Sequence, residues 1–208
     1  MQVDFIFQIA ILIMSVVIHE VSHGYAASYL GDQTARYQGR LTLNPLKHLD
    51  FVGSFLVPIL LYISQVGIIF GWAKPVPYNP YNLKPGRWSE AIVASAGPVS
   101  NILLALLFGL LLRVGMASGA VWAGPAFIKI VSIIVLINIL LAIFNIIPIP
   151  PLDGSKLLFA FFPDKSYQIR GFFERYGFFL VIFFILFLWQ YISPVIILLF
   201  QLITGIAF

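Results

Sequence analysis

His19, Glu20 and His23 are the residues of this chain whose types and spacing most directly suggest chemistry. Residues four apart on a helix lie one above the other on the same face. The two imidazoles of His19-Glu20-Val21-Ser22-His23 can therefore grip one metal ion. Glu20 follows the first histidine directly, where it can reach a water on that metal without being a ligand. This is a pattern suited to metal-assisted hydrolysis. The setting is unusual, because the motif closes an apolar run that begins at Phe5, and ionisable groups inside a span are costly without a partner.

A catalytic zinc ion takes three protein ligands and keeps one position open. The chain has no Cys and three His, so a carboxylate is the expected third ligand. Asp4 sits at the wrong end of the first apolar run, and Asp32 and Asp50 read as surface or turn residues. Asp153 follows a proline-rich break inside an apolar region, which makes it a functional candidate; the alternative is a turn residue ahead of Gly154. His48 reads as a surface or interfacial histidine. Asn101 reads as a helix–helix hydrogen-bonding residue before a catalytic one, and Asn145 can be a helix C-terminal cap.

The elements that must position these groups are membrane elements. The chain has 208 residues, 61% hydrophobic and 10% charged, against about 25% charged in soluble domains. The net charge of +4 fits Lys and Arg holding membrane loops on the cytoplasmic side. No basic run with interleaved aromatics suggests a nucleic-acid surface. The first apolar run lacks a basic leader and a small-residue cleavage site, and reads as a retained signal anchor.

A spanning helix needs about 20 mainly apolar residues. Residues 5–30, 89–112, 126–147 and 172–192 meet that need, and 195–208, after Ser193-Pro194, reads as a further short or tilted segment. Lys156 to Phe162 reads as a short helix. Residues 37–43 alternate weakly like a strand, and Gly71-Trp72-Ala73-Lys74-Pro75-Val76-Pro77-Tyr78-Asn79-Pro80 is too proline-rich for a helix and reads as an extended segment with turns. Residues 51–70 are apolar but interrupted by Gly53, Pro58 and Gly67. The expectation is an all-α polytopic membrane protein of about five to six transmembrane segments. A re-entrant segment and short extended strands lie between the first span and the 89–112 span. The whole, 1–208, is one integral membrane domain, with 5–160 as the catalytic core and 161–208 as C-terminal spans.

The re-entrant reading carries weight because the histidine pair and Asp153 can meet only if both lie on one side. If 51–70 dips in and returns, Arg36, Arg40, Lys47, Lys74, Lys84, Arg87, Lys156, Lys165, Arg170 and Arg175 share a side, and only Arg113 and Lys129 lie opposite. If it crosses, the split is much flatter. The positive-inside rule favours the first version, with the site opening towards the cytoplasm, and a broken hairpin is tolerated at membrane depth when it is buried in protein.

Taken together, His19-Glu20-x-x-His23, Ala96-Gly97-Pro98-x-x-Asn101 and Asn145-x-x-Pro148-x-Pro150-Pro151-Leu152-Asp153-Gly154 resemble the site-2 protease family of intramembrane zinc metalloproteases. Gly39-Arg40-Leu41-Thr42-Leu43-Asn44-Pro45 and Gly71-Trp72-Ala73-Lys74-Pro75-Val76-Pro77 look like a compact prokaryotic subgroup. The resemblance implies that His19, His23 and Asp153 bind one zinc ion per chain and that Glu20 is the catalytic base. It also implies that Asn145 helps to hold the substrate or the oxyanion. Asn145-Ile146 stands where many members have Asn-Pro, and no PDZ-like or nucleotide-binding regulatory domain is inserted. The implied activity is peptide-bond hydrolysis in or near transmembrane segments of membrane-protein substrates, in the lipid bilayer of the cell membrane. Nothing in the sequence sets the oligomeric state. The rival class is a metal-ion transporter or channel using the same His/Asp cluster; it has no need of Glu20.

Overall fold

A computed structural model of the chain describes residues 2–56, 59–60, 63, 73–162 and 166–206. The helices are α1 (Gln2–Tyr29), α2 (Thr34–Tyr37), α3 (Ser89–Ala117), α4 (Pro125–Ile146), α5 (Gly154–Phe161), α6 (Ser166–Phe183) and α7 (Trp189–Thr204). Four stretches among the described residues are long and apolar enough to cross a membrane: Ile6–Tyr29, Ser89–Ala117, Pro125–Ile146 and Arg175–Thr204. The chain is a multi-pass membrane protein. The expected re-entrant segment, 51–70, falls largely outside the described residues.

Two sequence expectations give way. Residues 37–43 form no strand: Tyr37 ends α2, and Gly39 turns the chain with φ +62°. The 73–79 stretch is extended but belongs to no ladder. At the C-terminal end, Ser193-Pro194 does not break the helix. The π-turn Phe184–Leu188 joins α6 to α7, and Pro194 lies inside α7. Proline removes the N–H that would reach the carbonyl four residues back. The Ser193 hydroxyl donates to that carbonyl, on Gln190, at 3.3 Å, so the freed acceptor is satisfied within the span.

Helices in lipid associate through close packing and interhelical hydrogen bonds, because the tails around them are as apolar as their side chains. Both devices are present. Ala105 and Leu112 of α3, Val131, Val135 and Ile139 of α4, and Ile196 and Phe200 of α7 form one buried cluster. A fully buried Asn138 of α4 donates to the Ser15 hydroxyl of α1 at 3.0 Å. Gly124 ahead of Pro125 opens α4, where the missing proline N–H costs nothing. Gly205, at φ +77°, closes α7. Arg113 of α3 donates to the last-turn carbonyls of Leu202 and Ile203.

The segment after α1 is tied back by Asp32, which is fully buried and not the surface turn residue expected. Its carboxylate accepts from the Thr34 hydroxyl at 2.6 Å and the Thr34 N–H at 3.2 Å. It also accepts from the Asn82 side chain at 3.0 Å and the Asn79 N–H at 2.8 Å. Burial alone pushes this carboxyl up; the bonds from Thr34, Asn82 and Asn79 outweigh it and hold the group below the usual carboxylate range.

Candidate metal centre

Helix α1 buries Ser15, His19, His23 and Ala27, one residue per turn along a single face. Helix α3 runs antiparallel along that face: Val93 meets His23, and Gly97 lies against both imidazoles. A Cβ at Gly97 would stand 2.5 Å from Nε2 of His19 and of His23. The small residue is needed there because the space beside those nitrogens is already filled.

Asp153 comes from the turn between α4 and α5, after the cis Pro150–Pro151 peptide. It stands at the N-cap of α5, yet its side chain makes no capping bond. Oδ2 lies instead 3.1 Å from Nε2 of His19 and 3.1 Å from Nε2 of His23. The Lys156 ammonium is 3.9 Å from Oδ1 and sits over the Tyr78 ring. Among the described residues, His19, His23 and Asp153 form a group of potential metal ligands whose donor atoms all lie within 4.8 Å of one another; Asp32 and Asp50 are not part of it.

The donor set fits zinc chemically. The His23 Nδ1–H donates to the Val93 carbonyl at 2.7 Å, so neutral His23 carries its lone pair on Nε2. That lone pair faces a carboxylate oxygen, and a cation between them satisfies both acceptors. The Val93 carbonyl is the kind of outer partner that fixes the tautomer of a metal-binding imidazole. Two nitrogens and one oxygen, with a fourth position left for water or substrate, is a catalytic zinc donor set.

Glu20 is half-buried beside the pair, and its Oε2 accepts from the Val76 N–H at 2.9 Å. Asn145 is not joined to this cluster by any hydrogen bond; its amide donates to Leu141 O at 3.0 Å, one turn back in α4. His48 is 1% exposed, contrary to the surface reading, with Nε2 against the Thr42 carbonyl at 2.8 Å. Asn101 is fully buried in α3, and among the described residues its hydrogen-bond partner is the adjacent Ser100 hydroxyl, which donates to its Oδ1 at 3.5 Å; no helix–helix bond from Asn101 is made to them. Asn138, which was not singled out, makes such a bond; an amide in the middle of the apolar 126–147 run, a full two turns before Asn145, was the available signal. The Val93 carbonyl, the Val76 N–H and Asp32 were also missed. The first two are backbone groups, which carry no residue-type signal.

Known proteins resemble this chain at the sequence level. The model of peptidase family M50 matches residues 112–188, the part that contains Asn145 and Asp153. A Bacillus subtilis (strain 168) protein named "Putative zinc metalloprotease YwhC" is 39% identical over 85% of this chain and 77% of its own length. A Mycolicibacterium smegmatis protein named a zinc metalloprotease Rip2 in the same manner is 32% identical over 86% of this chain and 66% of its own. An archaeal relative from Methanocaldococcus jannaschii, MJ0611, is 31% identical over 68% and 63%. The chain thus spans about three quarters of the Bacillus protein and just under two thirds of the other two. No solved structure matches.

Proposed function

The chain belongs to peptidase family M50, the site-2 protease family of zinc metalloproteases, and on that premise we propose that it hydrolyses peptide bonds within or beside transmembrane segments of other membrane proteins. The observation that carries the reading is the meeting of His19, His23 and Asp153 at 3.1 Å, with Glu20 next in sequence to the first ligand and outside the ligand set. His19, His23 and Asp153 are the zinc ligands and Glu20 the general base. Residues 5–160 form the catalytic core of a membrane-embedded domain, and 161–208 complete it.

His19, His23 and Asp153 would hold the zinc ion, which would supply Lewis acidity towards the attacking water and the scissile carbonyl. Glu20 takes a proton from the attacking water and returns it to the leaving amine. Asn145 has one amide N–H engaged with Leu141 O; its second N–H is the candidate donor to the oxyanion. Val93 keeps His23 in the tautomer that presents Nε2. A substrate helix hides its carbonyls in its own hydrogen bonds, so it must unwind locally before attack.

The site opens towards the cytoplasm of the cell membrane. Support comes from the basic residues gathered on one side and from the contact of the C-terminal end of α1 with the turn after α4, which fits a re-entrant 51–70. The chain has no native Cys, so single cysteines at Ala73 and Ala120 test this directly. An impermeant thiol reagent should label them from opposite sides, and labelling from one side would refute the topology.

For the reaction, the purified protein is reconstituted with a model transmembrane substrate. Cleavage should stop on chelation, and Glu20→Gln should lower it by about 10²–10⁴-fold with zinc content unchanged. Cleavage by Glu20→Gln at the wild-type rate would remove the general-base assignment. The transporter reading has no use for Glu20, and the relatives carry protease names.

A further inference from the structure

The extended stretch Lys74-Pro75-Val76-Pro77 is built to hold one amide still. Pro75 and Pro77 have fixed φ and no N–H, and a residue before proline is confined to extended backbone, which covers Lys74 and Val76. Within 75–77, Val76 is therefore the sole backbone donor, and its direction is set by its neighbours. That N–H points at Glu20 Oε2, 2.9 Å away.

The stretch is also clamped from outside. Arg40 is 8% exposed, and its Nη2 donates to the carbonyls of Lys74 at 2.9 Å and Pro75 at 3.1 Å. The Lys74 N–H donates to the carbonyl of the buried His48 at 2.8 Å. The Asn79 N–H, further along, is held by Asp32. The Val76 side chain packs against α1 at Gly24, where an added Cβ would meet Val76 Cγ1 at 2.8 Å. Burying an arginine for two backbone carbonyls is costly unless their position has a use.

We infer that the Val76 amide fixes the carboxylate of Glu20 in its working orientation, and that Arg40 is a positioning residue acting through the 74–76 backbone. The inference rests on the reading of Glu20 as the general base. With Oε2 tied to Val76, Oε1 is the oxygen left to take the proton, and the carboxylate cannot swing away from its neighbour His19. A residue that orients a reacting group in this way affects turnover more than substrate binding.

The test uses the full-length protein in lipid with the transmembrane substrate, comparing wild type, Glu20→Gln, Val76→Pro, Val76→Ala and Arg40→Lys. Proline suits the extended position 76 and removes the donor; it also alters the side chain that packs at Gly24, a change that Val76→Ala makes with the N–H kept. Val76→Pro should lower kcat by about 10–100-fold, with KM within about twofold and zinc content as in wild type. Val76→Ala, which keeps the N–H, should lose less. Arg40→Lys keeps the charge but not the two-carbonyl fork, and should lower kcat without changing KM. Infrared difference spectra supply an independent readout. The carboxylate band removed by Glu20→Gln should shift in Val76→Pro and in Arg40→Lys. An unshifted band in a folded Arg40→Lys protein would overturn the inference even if Val76→Pro fails to fold. Wild-type turnover by Val76→Pro beside an inactive Glu20→Gln would overturn it and leave the base assignment standing. Wild-type turnover by Glu20→Gln would overturn both.

Discussion

Gly97 approaches His19 so closely that a Cβ on residue 97 would stand 2.5 Å from the imidazole Nε2, and equally close to Nε2 of His23. Alanine is the better helix former by about 1 kcal/mol, so Gly97→Ala should not weaken α3 itself. It should instead part α1 from α3 or turn both imidazoles. The expected result is a folded protein whose zinc affinity falls at least about tenfold, since disturbing a ligand's surroundings alone costs about that much. Metal analysis after dialysis, alongside thermal unfolding in bicelles, checks it. Full zinc retention would mean the imidazoles do not need the space Gly97 leaves.

Asp153 lies 3.1 Å from both histidines through a single oxygen. Asp153→Asn keeps the volume and removes the negative charge. Loss of a direct ligand should cost more than the roughly 10–100-fold typical of an outer partner, so zinc should wash out at dilutions that leave wild type loaded. Competition with a chelating dye reads this without reference to cleavage. An affinity within a few-fold of wild type would exclude Asp153 from the ligand set.

Residue type and spacing made the centre legible, because only carboxylates and imidazoles can serve a metal in a chain without Cys. His19 and His23 stand out that way; Asp153 reads equally well as a turn residue until the family resemblance names it, and the three side chains lie together. The main spans were legible from run length, since lipid imposes one length on every crossing. Pro194 misled because its effect depends on whether a neighbour satisfies the freed carbonyl, and Ser193 does so. Asp32 and His48 misled because polar residues in a polar stretch look exposed; the Asp32 carboxylate is tied to Asn79 and Asn82, and the His48 carbonyl to the Lys74 N–H, all distant in sequence. The weak alternation over 37–43 has no partner strand among the described residues, and alternation alone does not make a ladder.

Asp32 gives a pH-dependent stability whose sign is fixed. Its carboxyl is held below the usual range in the folded protein, so its contribution is complete above the unfolded value of about 3.9 and is lost as pH falls through the folded value. Asp32→Asn replaces one acceptor oxygen by a donor that cannot receive the N–H of Asn79. At pH 7 it should destabilise the protein by about 2 kcal/mol, the scale of a hydrogen bond to a charged group. The gap between variant and wild type should narrow below about pH 4. Thermal unfolding of both proteins across that range decides it; a gap that widens on acidification would contradict the assignment.

Ser15 and Asn138 join α1 to α4 through a 3.0 Å bond inside the apolar core, one helical turn before His19. This bond fixes how far α1 is drawn along α4, and the C-terminal end of α4 leads to the turn that carries Asp153. Interhelical hydrogen bonds in membranes average about 0.6 kcal/mol and reach roughly 1.7. Asn138 also donates to Ile134 O at 2.8 Å, so its truncation removes more than the pair. A double-mutant cycle with Ser15→Ala and Asn138→Ala isolates the shared part. The coupling should fall between about 0.5 and 1.7 kcal/mol, and either single variant should bind zinc a few-fold more weakly, because the helix that carries both histidines loses its axial tie. Coupling near zero with unchanged zinc affinity would show that packing alone sets the register of α1, and that Asn138 is held in place by its own helix.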